Sequence, residues 1–291
     1  MEDQALRQRG LAAALVAAVV LAGCGGGGNA EKEKPARAPG ASAPSGQELL
    51  ATTASRLERA LPARDCRVLG RLMLHSAPRA AEPDTPPTAE ECKRIRTDAG
   101  NELAGFRAVR SVAYGSGGFT EGSGHNRRAG EVVGVIWARD RDGSWKAVYD
   151  AIFRKQLGVA PAYGQTADRN AGLFVRAVAG GDCDGMWRYL NVGSRFVGGN
   201  RGDRSAFCRA ITPQYKDAAS AFAQIKADPG ARPRSLGATR DIAFYGLRLR
   251  NGREMLIVLS GRLGGTVDIH EQTQHDNPSV LEFVTVRRPA E

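Results

Sequence analysis

The chain has 291 residues, 42% hydrophobic and 25% charged, a composition typical of globular proteins that excludes a fibrous or wholly disordered protein. Its one long apolar run, residues 11–22, is too short for a helix that needs about 20 residues to span a bilayer, which excludes a multi-pass membrane protein. The formal net charge is +10, but 34 of the 41 basic residues are arginine, which indicates codon bias. Because no basic run with interleaved aromatics is present, we expect no nucleic-acid partner, and the charge favours attraction to an anionic membrane or cell-wall surface.

The amino terminus has the order of a targeting segment. Two arginines precede the apolar run, which ends in the sequence LAGC at residues 21–24. Small residues give a peptidase access to the backbone, and the thiol that follows is the acceptor for a diacylglycerol. This order closely resembles the lipobox of bacterial lipoproteins, which implies a signal peptide over residues 1–23 and a fatty-acylated, palmitate-type anchor on Cys24. The alternative is an ordinary secretory signal whose cleavage leaves a cysteine.

Residues 24–46 contain Gly, Ala, Pro, Ser and a few charges without apolar periodicity. Such a segment buries too little surface to offset the cost of ordering it, so we predict a disordered tether. A flexible linker of this length has a typical span of roughly 25 Å. Together with the lipobox resemblance, this predicts a chain held by lipid at the extracytoplasmic face of a cell membrane.

The body of the chain contains an internal repeat, because two segments align without gaps at an offset of 117 residues. The aligned positions are Leu50, Leu57, Leu61, Asp65 and Cys66 on Ala167, Phe174, Val178, Asp182 and Cys183. A further block, residues 108–114, resembles residues 238–244. We therefore predict two similar domains, residues 47–158 and 165–291.

Four cysteines remain after Cys24, two in each half. In an extracytoplasmic compartment they are expected to oxidise. Of the three possible connectivities, the repeat selects the pairs Cys66 with Cys92 and Cys183 with Cys208, because each half then closes its own loop in the same way. A four-cysteine metal site is the competing interpretation, but the close Cys-x-x-Cys spacing of such sites is absent, so we expect no metal and no cofactor.

In each half the predicted helices come first and the strands follow, which favours an α+β fold over alternating βαβ units. In chain order, the predicted helices cover residues 47–61, 65–74, 88–103, 167–178, 183–189 and 205–226. The predicted strands cover residues 107–114, 131–139, 144–153, 241–250, 253–263 and 280–288. Asp142-Gly143 and Asn251-Gly252 mark hairpin turns.

A long helix, a short helix opened by an Asp, a further helix and then an antiparallel sheet resemble the nuclear-transport-factor-like superfamily, which includes ketosteroid isomerase and polyketide cyclase relatives. The segment FVRAVAGGD at residues 174–182 carries the resemblance. It implies two cone-like domains, each with a pocket between helices and a curved sheet. Isomerase relatives use a carboxylate base with a tyrosine and a second acid in an apolar pocket. Here Tyr114 has Phe244 as its counterpart, and the predicted strand acids Asp150 and Asp241 face either a pocket or solvent, so no catalytic set is evident.

One surface segment has the features of a partner site. Residues 114–130 contain six glycines and interrupt the strand pattern with His125, Arg127 and Arg128, and long loops of this kind are usually mobile or functional. The four histidines all have loop-like surroundings without metal-ligand spacing. The aromatic side chains on apolar faces are predicted to lie in the core; these are Trp137, Trp145, Phe174, Trp187, Phe196 and Phe222.

These observations favour a non-catalytic surface lipoprotein that binds an envelope protein or a small apolar ligand. The alternative is an envelope enzyme of the isomerase or cyclase type acting in one cone, which predicts an enclosed pocket with a buried acid of raised pKa. A third hypothesis is a mainly structural module in which both cones are packed shut.

Overall fold

The computed structural model describes residues 45–72, 89–90, 92–93, 103–124, 131–139, 143–154, 162, 164–191, 203–218, 220–261 and 278–287. Cys24, the signal segment and most of the tether therefore lie outside the described residues. Helices precede strands in each half, and the strands form two antiparallel sheets of four, which confirms the predicted α+β class. Within the ranges above, no helix is long and apolar enough to cross a membrane.

The first half opens with helix α1, Gly46–Ala63, followed by α2, Cys66–Leu72. Ser45 caps α1: its hydroxyl accepts from the Glu48 N–H at 3.2 Å, and the Glu48 carboxylate accepts from the Ser45 N–H at 2.6 Å. The prediction that α1 ends before Pro62 is wrong, because the helix includes Pro62 and its end is fixed by hydrogen bonds from the two residues after it. Of the helix predicted over residues 88–103, only 89, 90, 92 and 93 are described as helical.

The first sheet is a simple meander whose strands lie side by side in chain order. Its strands are β1 Arg107–Tyr114, β2 Gly117–Ser123, β3 Glu131–Arg139 and β4 Trp145–Arg154. Strands β1, β3 and β4 confirm the prediction. The loop predicted over residues 114–130 is wrong at 117–123, where the chain forms β2 and most residues are buried.

The glycines of β2 are required by close packing on both of its faces. A Cβ on Gly117 would lie 2.4 Å from the Phe244 ring, one on Gly118 would lie 2.7 Å from Leu50 Cδ2, and one on Gly122 would lie 2.3 Å from the Phe106 ring. These distances are far below an ordinary carbon contact of about 3.5–4.0 Å. The glycine-rich composition therefore belongs to a strand covered by large side chains and not to a loop.

The second half begins with α3, Gln165–Gly180, and α4, Cys183–Tyr189, both as predicted. The single helix predicted over 205–226 is wrong. The chain instead forms α5 Arg204–Ile211, a 3-10 helix Thr212–Tyr215 and α6 Ala221–Lys226. Pro213 supplies no backbone N–H to continue α5, and Ser220 begins α6 by accepting from the Ala223 N–H at 3.1 Å.

The second sheet is also a meander in chain order. Its strands are β5 Arg234–Ala238, β6 Ile242–Arg248, β7 Arg253–Ser260 and β8 Ser279–Arg287. The predicted hairpin at Asn251-Gly252 is confirmed, with Gly252 at φ 76°. Strand β5 was not predicted. The repeat block 238–244 spans the turn between β5 and β6, so it is not equivalent to the 108–114 block in β1.

The molecule has four layers, because each sheet packs helices on one face and the other sheet on its second face. In β6, Ala243 and Tyr245 face the helices of the second half, whereas Ile242 and Phe244 face the first sheet. The core between the sheets contains, from the first sheet, Phe119, Ile136, Ala138 and Val148 and, from the second, Ile242, Phe244, Leu256, Val258 and Leu281. The two halves are thus joined by a shared apolar core.

Helix α1 covers the outer edge of β1. The Gln47 side-chain amide accepts from the Ala113 N–H at 2.8 Å and donates to the Ser111 carbonyl at 2.5 Å. Eleven residues further along, the Glu58 carboxylate accepts from the Ala108 N–H at 3.1 Å. The lengths agree, since eleven helical residues and five strand residues each span about 17 Å.

Candidate functional site

Both predicted disulfides are present. Cys66 is bonded to Cys92 and Cys183 to Cys208, with Cα–Cα distances of 5.3 and 5.6 Å. Cys66 and Cys183 each stand at the first position of the short second helix of their half. The matched placement supports the repeat that selected this pairing.

The predicted partner residues His125, Arg127 and Arg128 lie outside the described residues, so that site stays a prediction. The four histidines of the sequence are likewise outside the described ranges. Among the residues that are described, no group of three or more His, Cys, Asp or Glu could hold a metal ion.

The tyrosine and acids considered for catalysis are not brought together in one helix-facing pocket. Tyr114 lies between the sheets, where its hydroxyl donates to the Ala238 carbonyl at 2.9 Å and its ring is 6.0 Å from that of Phe244. Asp241 stands in the turn before β6, so its assignment to a strand is wrong. Asp150 is on β4 opposite Val135, and its side chain is outside the description.

Aromatic side chains occupy the space between helices and sheet in the second half. The ring of Phe283 on β8 is 5.4 Å from Phe174 of α3 and 5.7 Å from Phe222 of α6, and Phe222 is 5.4 Å from Tyr215. The Tyr215 hydroxyl donates to the Met186 sulfur at 3.5 Å. Burial, with a smaller contribution from the charge of Asp182, raises the pKa of Tyr215 to about 12, so this residue stays neutral at ordinary pH.

Two tryptophans and leucines of α1 lie in the corresponding space of the first half. Trp137 and Trp145 are buried among Leu50 and Leu57, which confirms their predicted place in the core. The indole of Trp137 donates to the Thr120 hydroxyl at 2.9 Å, and that of Trp145 donates to the Gly46 carbonyl at 3.2 Å. Of the other predicted core aromatics, Phe174 and Phe222 are buried, Trp187 is half-buried and Phe196 is outside the description.

One acid and hydroxyl pair does meet at the rim of the second half. The Tyr245 hydroxyl, on the helix-facing side of β6, donates to Asp168 Oδ1 at 2.8 Å. Burial first, and this contact second, hold the pKa of Tyr245 well above its ordinary value. Asp168 is exposed in the first turn of α3, where a negative charge is favourable. The pair ties α3 to the sheet through a neutral hydroxyl. Sequence reasoning missed it because 77 residues separate the partners.

A buried carboxylate links the two halves. Glu254 of β7 is 3% exposed, accepts from the Ser116 hydroxyl at 2.6 Å and is 3.3 Å from the Arg234 guanidinium. Gly246 leaves room for this carboxylate, because a Cβ there would lie 2.3 Å from Glu254 Oε1. A buried charge that is both paired and hydrogen-bonded has the partners it needs, so this contact joins the sheets.

The enzyme alternative requires a buried acid of raised pKa in a helix-facing pocket. Glu282 is an acid with a raised pKa, but it lies on the other face of its sheet. Burial raises the pKa of Glu282 to about 8, against the lowering effect of the Phe283 N–H, which donates to Glu282 Oε1 at 2.8 Å. Glu282 pairs with Val258, a residue of the core between the sheets, so it stands on the sheet-to-sheet face of β8. The acid is therefore on the opposite side of the sheet from the aromatic interior.

The sequence matches no protein-family model and no curated protein.

Proposed function

We propose that the chain is a lipid-anchored protein of the bacterial envelope that works by binding through its outer surface. The observation that supports the non-catalytic part is the packing of large apolar side chains between helices and sheet in both halves, among the described residues, above all Phe174, Phe222 and Phe283 in the second half. The other faces of the two sheets cover each other. Both faces of each sheet are thus covered, either by helices or by the other sheet. This favours the outer surface of the molecule as the partner-binding site.

The lipid anchor is supported by the sequence at Cys24 and by the cysteine chemistry of the body. Two disulfides in one chain are typical of proteins that fold in an oxidising compartment. Acylation supplies roughly 0.8 kcal/mol for each methylene buried in the bilayer, so two or three acyl chains on Cys24 give stable attachment.

We also propose that each half is a divergent relative of the nuclear-transport-factor-like superfamily. Support comes from the order of helices before an antiparallel sheet and from Asp182, whose carboxylate caps the short helix α4 by accepting from the Gly185 N–H at 2.9 Å. Among the described residues, apolar side chains pack between helices and sheet, where catalytic relatives have a pocket. This proposal therefore extends to the fold and not to their chemistry.

The anchor is tested by growing bacteria that express the full chain with an alkyne-bearing fatty acid. We expect label on the wild-type chain, loss of label in Cys24→Ala, and unchanged label in the control Ser42→Ala, a substitution in the tether. Label that persists in Cys24→Ala, or a wild-type chain that never acquires label, would contradict the proposal.

A further inference from the structure

Five exposed arginines lie on the first two helices of the body and in the turn between them. Arg56 and Arg59 are on α1, Arg64 is in the turn after it, and Arg67 and Arg71 are on α2. We call this set the arginine face. Two acids lie in the same stretch, Glu58 and Asp65, so its formal charge is five minus two, or +3.

The helical spacing puts the arginines of α1 on the side away from β1. Each residue advances about 100° around the helix. Leu57 is buried and points inward. Arg56 and Arg59 lie on one flank of the helix, about 100° and 160° around the axis from Leu57. Glu58 lies on the opposite flank, about 100° from Leu57. The Glu58 carboxylate accepts from the Ala108 N–H of β1. The acid of α1 is thus turned toward the sheet edge, and the two arginines are turned away from it.

The arginines of α2 also point outward. Leu69 is fully buried, and Arg67 and Arg71 stand two residues before and after it, about 160° to either side of the inward direction. Asp65 is occupied as a cap, because its Oδ1 accepts from the Val68 N–H at 3.1 Å. The outer surface of the two helices therefore presents mainly positive charge.

The second half supplies an internal comparison at the offset of 117 residues. Helices α2 and α4 match along their whole lengths at this offset, so the equivalent positions can be read directly. The five arginines correspond to Leu173, Arg176, Gly181, Asp184 and Arg188. Over that stretch two arginines balance Asp182 and Asp184, and the net charge is zero. Both halves are encoded in one gene, so codon bias does not explain why the face is basic in the first half alone.

Arg64 adds a separate observation. Its backbone is left-handed, with φ 49°, and it is the only non-glycine residue with positive φ among the described residues. The equivalent residue of the second half is Gly181, with φ 66°, and both residues donate to the carbonyl three positions earlier at 3.1 Å. Glycine is the residue that suits this conformation. The first half therefore has a positive charge at the turn where the second half has a glycine.

The tether ends at the start of α1, ten residues before the first arginine of the arginine face. We propose that this face docks onto the anionic phospholipid headgroups of the bilayer that holds the acylated Cys24. The inference rests on the lipid anchor proposed above. A tether with a typical span of roughly 25 Å keeps α1, itself about 27 Å long, within reach of the headgroups. The anchor makes docking an intramolecular event at high effective concentration, so a few arginines suffice.

The test measures how fast phenylglyoxal modifies each arginine of the acylated full-length chain in vesicles, read by mass spectrometry. Flotation with phosphatidylcholine vesicles first reports the anchor alone. Vesicles that also contain phosphatidylglycerol then report docking. We expect modification of Arg56, Arg59 and Arg67 to slow by about fivefold or more, the factor that one arginine contributes to binding an anionic surface. The exposed arginines Arg169, Arg176 and Arg209 of the second half serve as internal controls and should react equally in both vesicle types.

Two further measurements separate docking from a structural role. Protection should disappear at about 1 M salt, where the screening length falls to about 3 Å. Arg64→Gly should raise the melting temperature, because glycine suits the left-handed turn, and yet reduce the protection of Arg56, Arg59 and Arg67. One triple variant removes three charges from the arginine face: Arg56→Gln, Arg59→Gln, Arg67→Gln. It should lose docking. A control variant that removes three charges from the second half should retain docking: Arg169→Gln, Arg176→Gln, Arg209→Gln.

Equal modification rates of the arginine face in the two vesicle types would overturn the proposal, as would equal slowing of the control arginines. Protection by soluble polyglycerol phosphate but not by vesicles would also overturn it and point to a cell-wall polymer. A chain that does not float with phosphatidylcholine vesicles would refute the acyl anchor alone. Slower modification of the arginine face in phosphatidylglycerol vesicles would then still support docking, and an unchanged rate would overturn it.

Discussion

Replacing Gly117 with alanine tests the packing of one sheet on the other. The new Cβ would lie 2.4 Å from Phe244 Cδ1 and 3.1 Å from Leu256 Cδ1, both in the core between the sheets. Phe244 is fully buried and cannot swing into solvent. Overpacking of this kind costs about 1–3 kcal/mol, and the very short contact favours the upper part of that range. In a chain of this size each kcal/mol lowers the melting temperature by about 2–4 °C, so we expect a decrease of about 4–10 °C.

Urea denaturation followed by tryptophan fluorescence measures the loss, with the slope m unchanged if the unfolded state is unaffected. The matched control is Gly172→Ala in α3, where a Cβ would meet nothing within 4 Å. That change should stabilise by about 0.5–1 kcal/mol, because alanine favours a helix. Adding Phe244→Leu to Gly117→Ala should cost less than the sum of the two single changes, since they share one contact. A Gly117→Ala protein as stable as the wild type would refute face-to-face packing of the sheets.

Two further predictions concern the stability of the second half. The double variant Cys183→Ser, Cys208→Ser opens a loop of 25 residues, and its free energy of unfolding, measured by urea denaturation, should fall by about 3–4 kcal/mol. A wild-type protein whose stability does not change on addition of a reductant would contradict this. The pKa of Glu282 is raised from its ordinary 4.5 to about 8, so the folded state holds a proton that the unfolded state loses, and stability should fall as pH rises from about 4.5 to about 8. Glu282→Gln should remove that dependence and stabilise the protein by about 3 kcal/mol at neutral pH. An unchanged pH profile would show that the carboxyl is not buried.

The sequence predicts elements well where spacing and capping agree. The seven-residue helix Cys183–Tyr189 follows from an Asp cap and a repeat, and the Asn251-Gly252 hairpin follows from turn chemistry alone. The sequence predicts poorly where the composition of a segment is typical of a different kind of element. Strand β2 contains the glycines of a loop because Phe244, Leu50 and Phe106 press on it, and those neighbours are distant in sequence. The helix predicted over 205–226 had the right periodicity, but its interruption at Pro213 overrides it.

The packing of the two sheets was not predicted, although one signal for it is present. The run Met-Leu-Ile-Val-Leu in β7 is apolar without alternation, a pattern typical of a strand buried on both faces. The polar contacts of the interior have no comparable signal. Asp168 with Tyr245 and Ser116 with Glu254 join residues 77 and 138 positions apart, and neither member of a pair indicates the other. The candidate surface loop at 125–128 remains a prediction.

The contacts between the sheets have a consequence for the order of folding. The hydrogen bonds from Tyr114 to Ala238 and from Ser116 to Glu254 close loops of 124 and 138 residues, whereas each disulfide closes only 26 or 25. Closing a long loop costs more entropy and slows folding, so we expect each half to form its own helices and sheet before the halves dock. Until docking, each half exposes one apolar sheet face. The interval before the sheets meet is therefore the stage at which aggregation competes with the native structure.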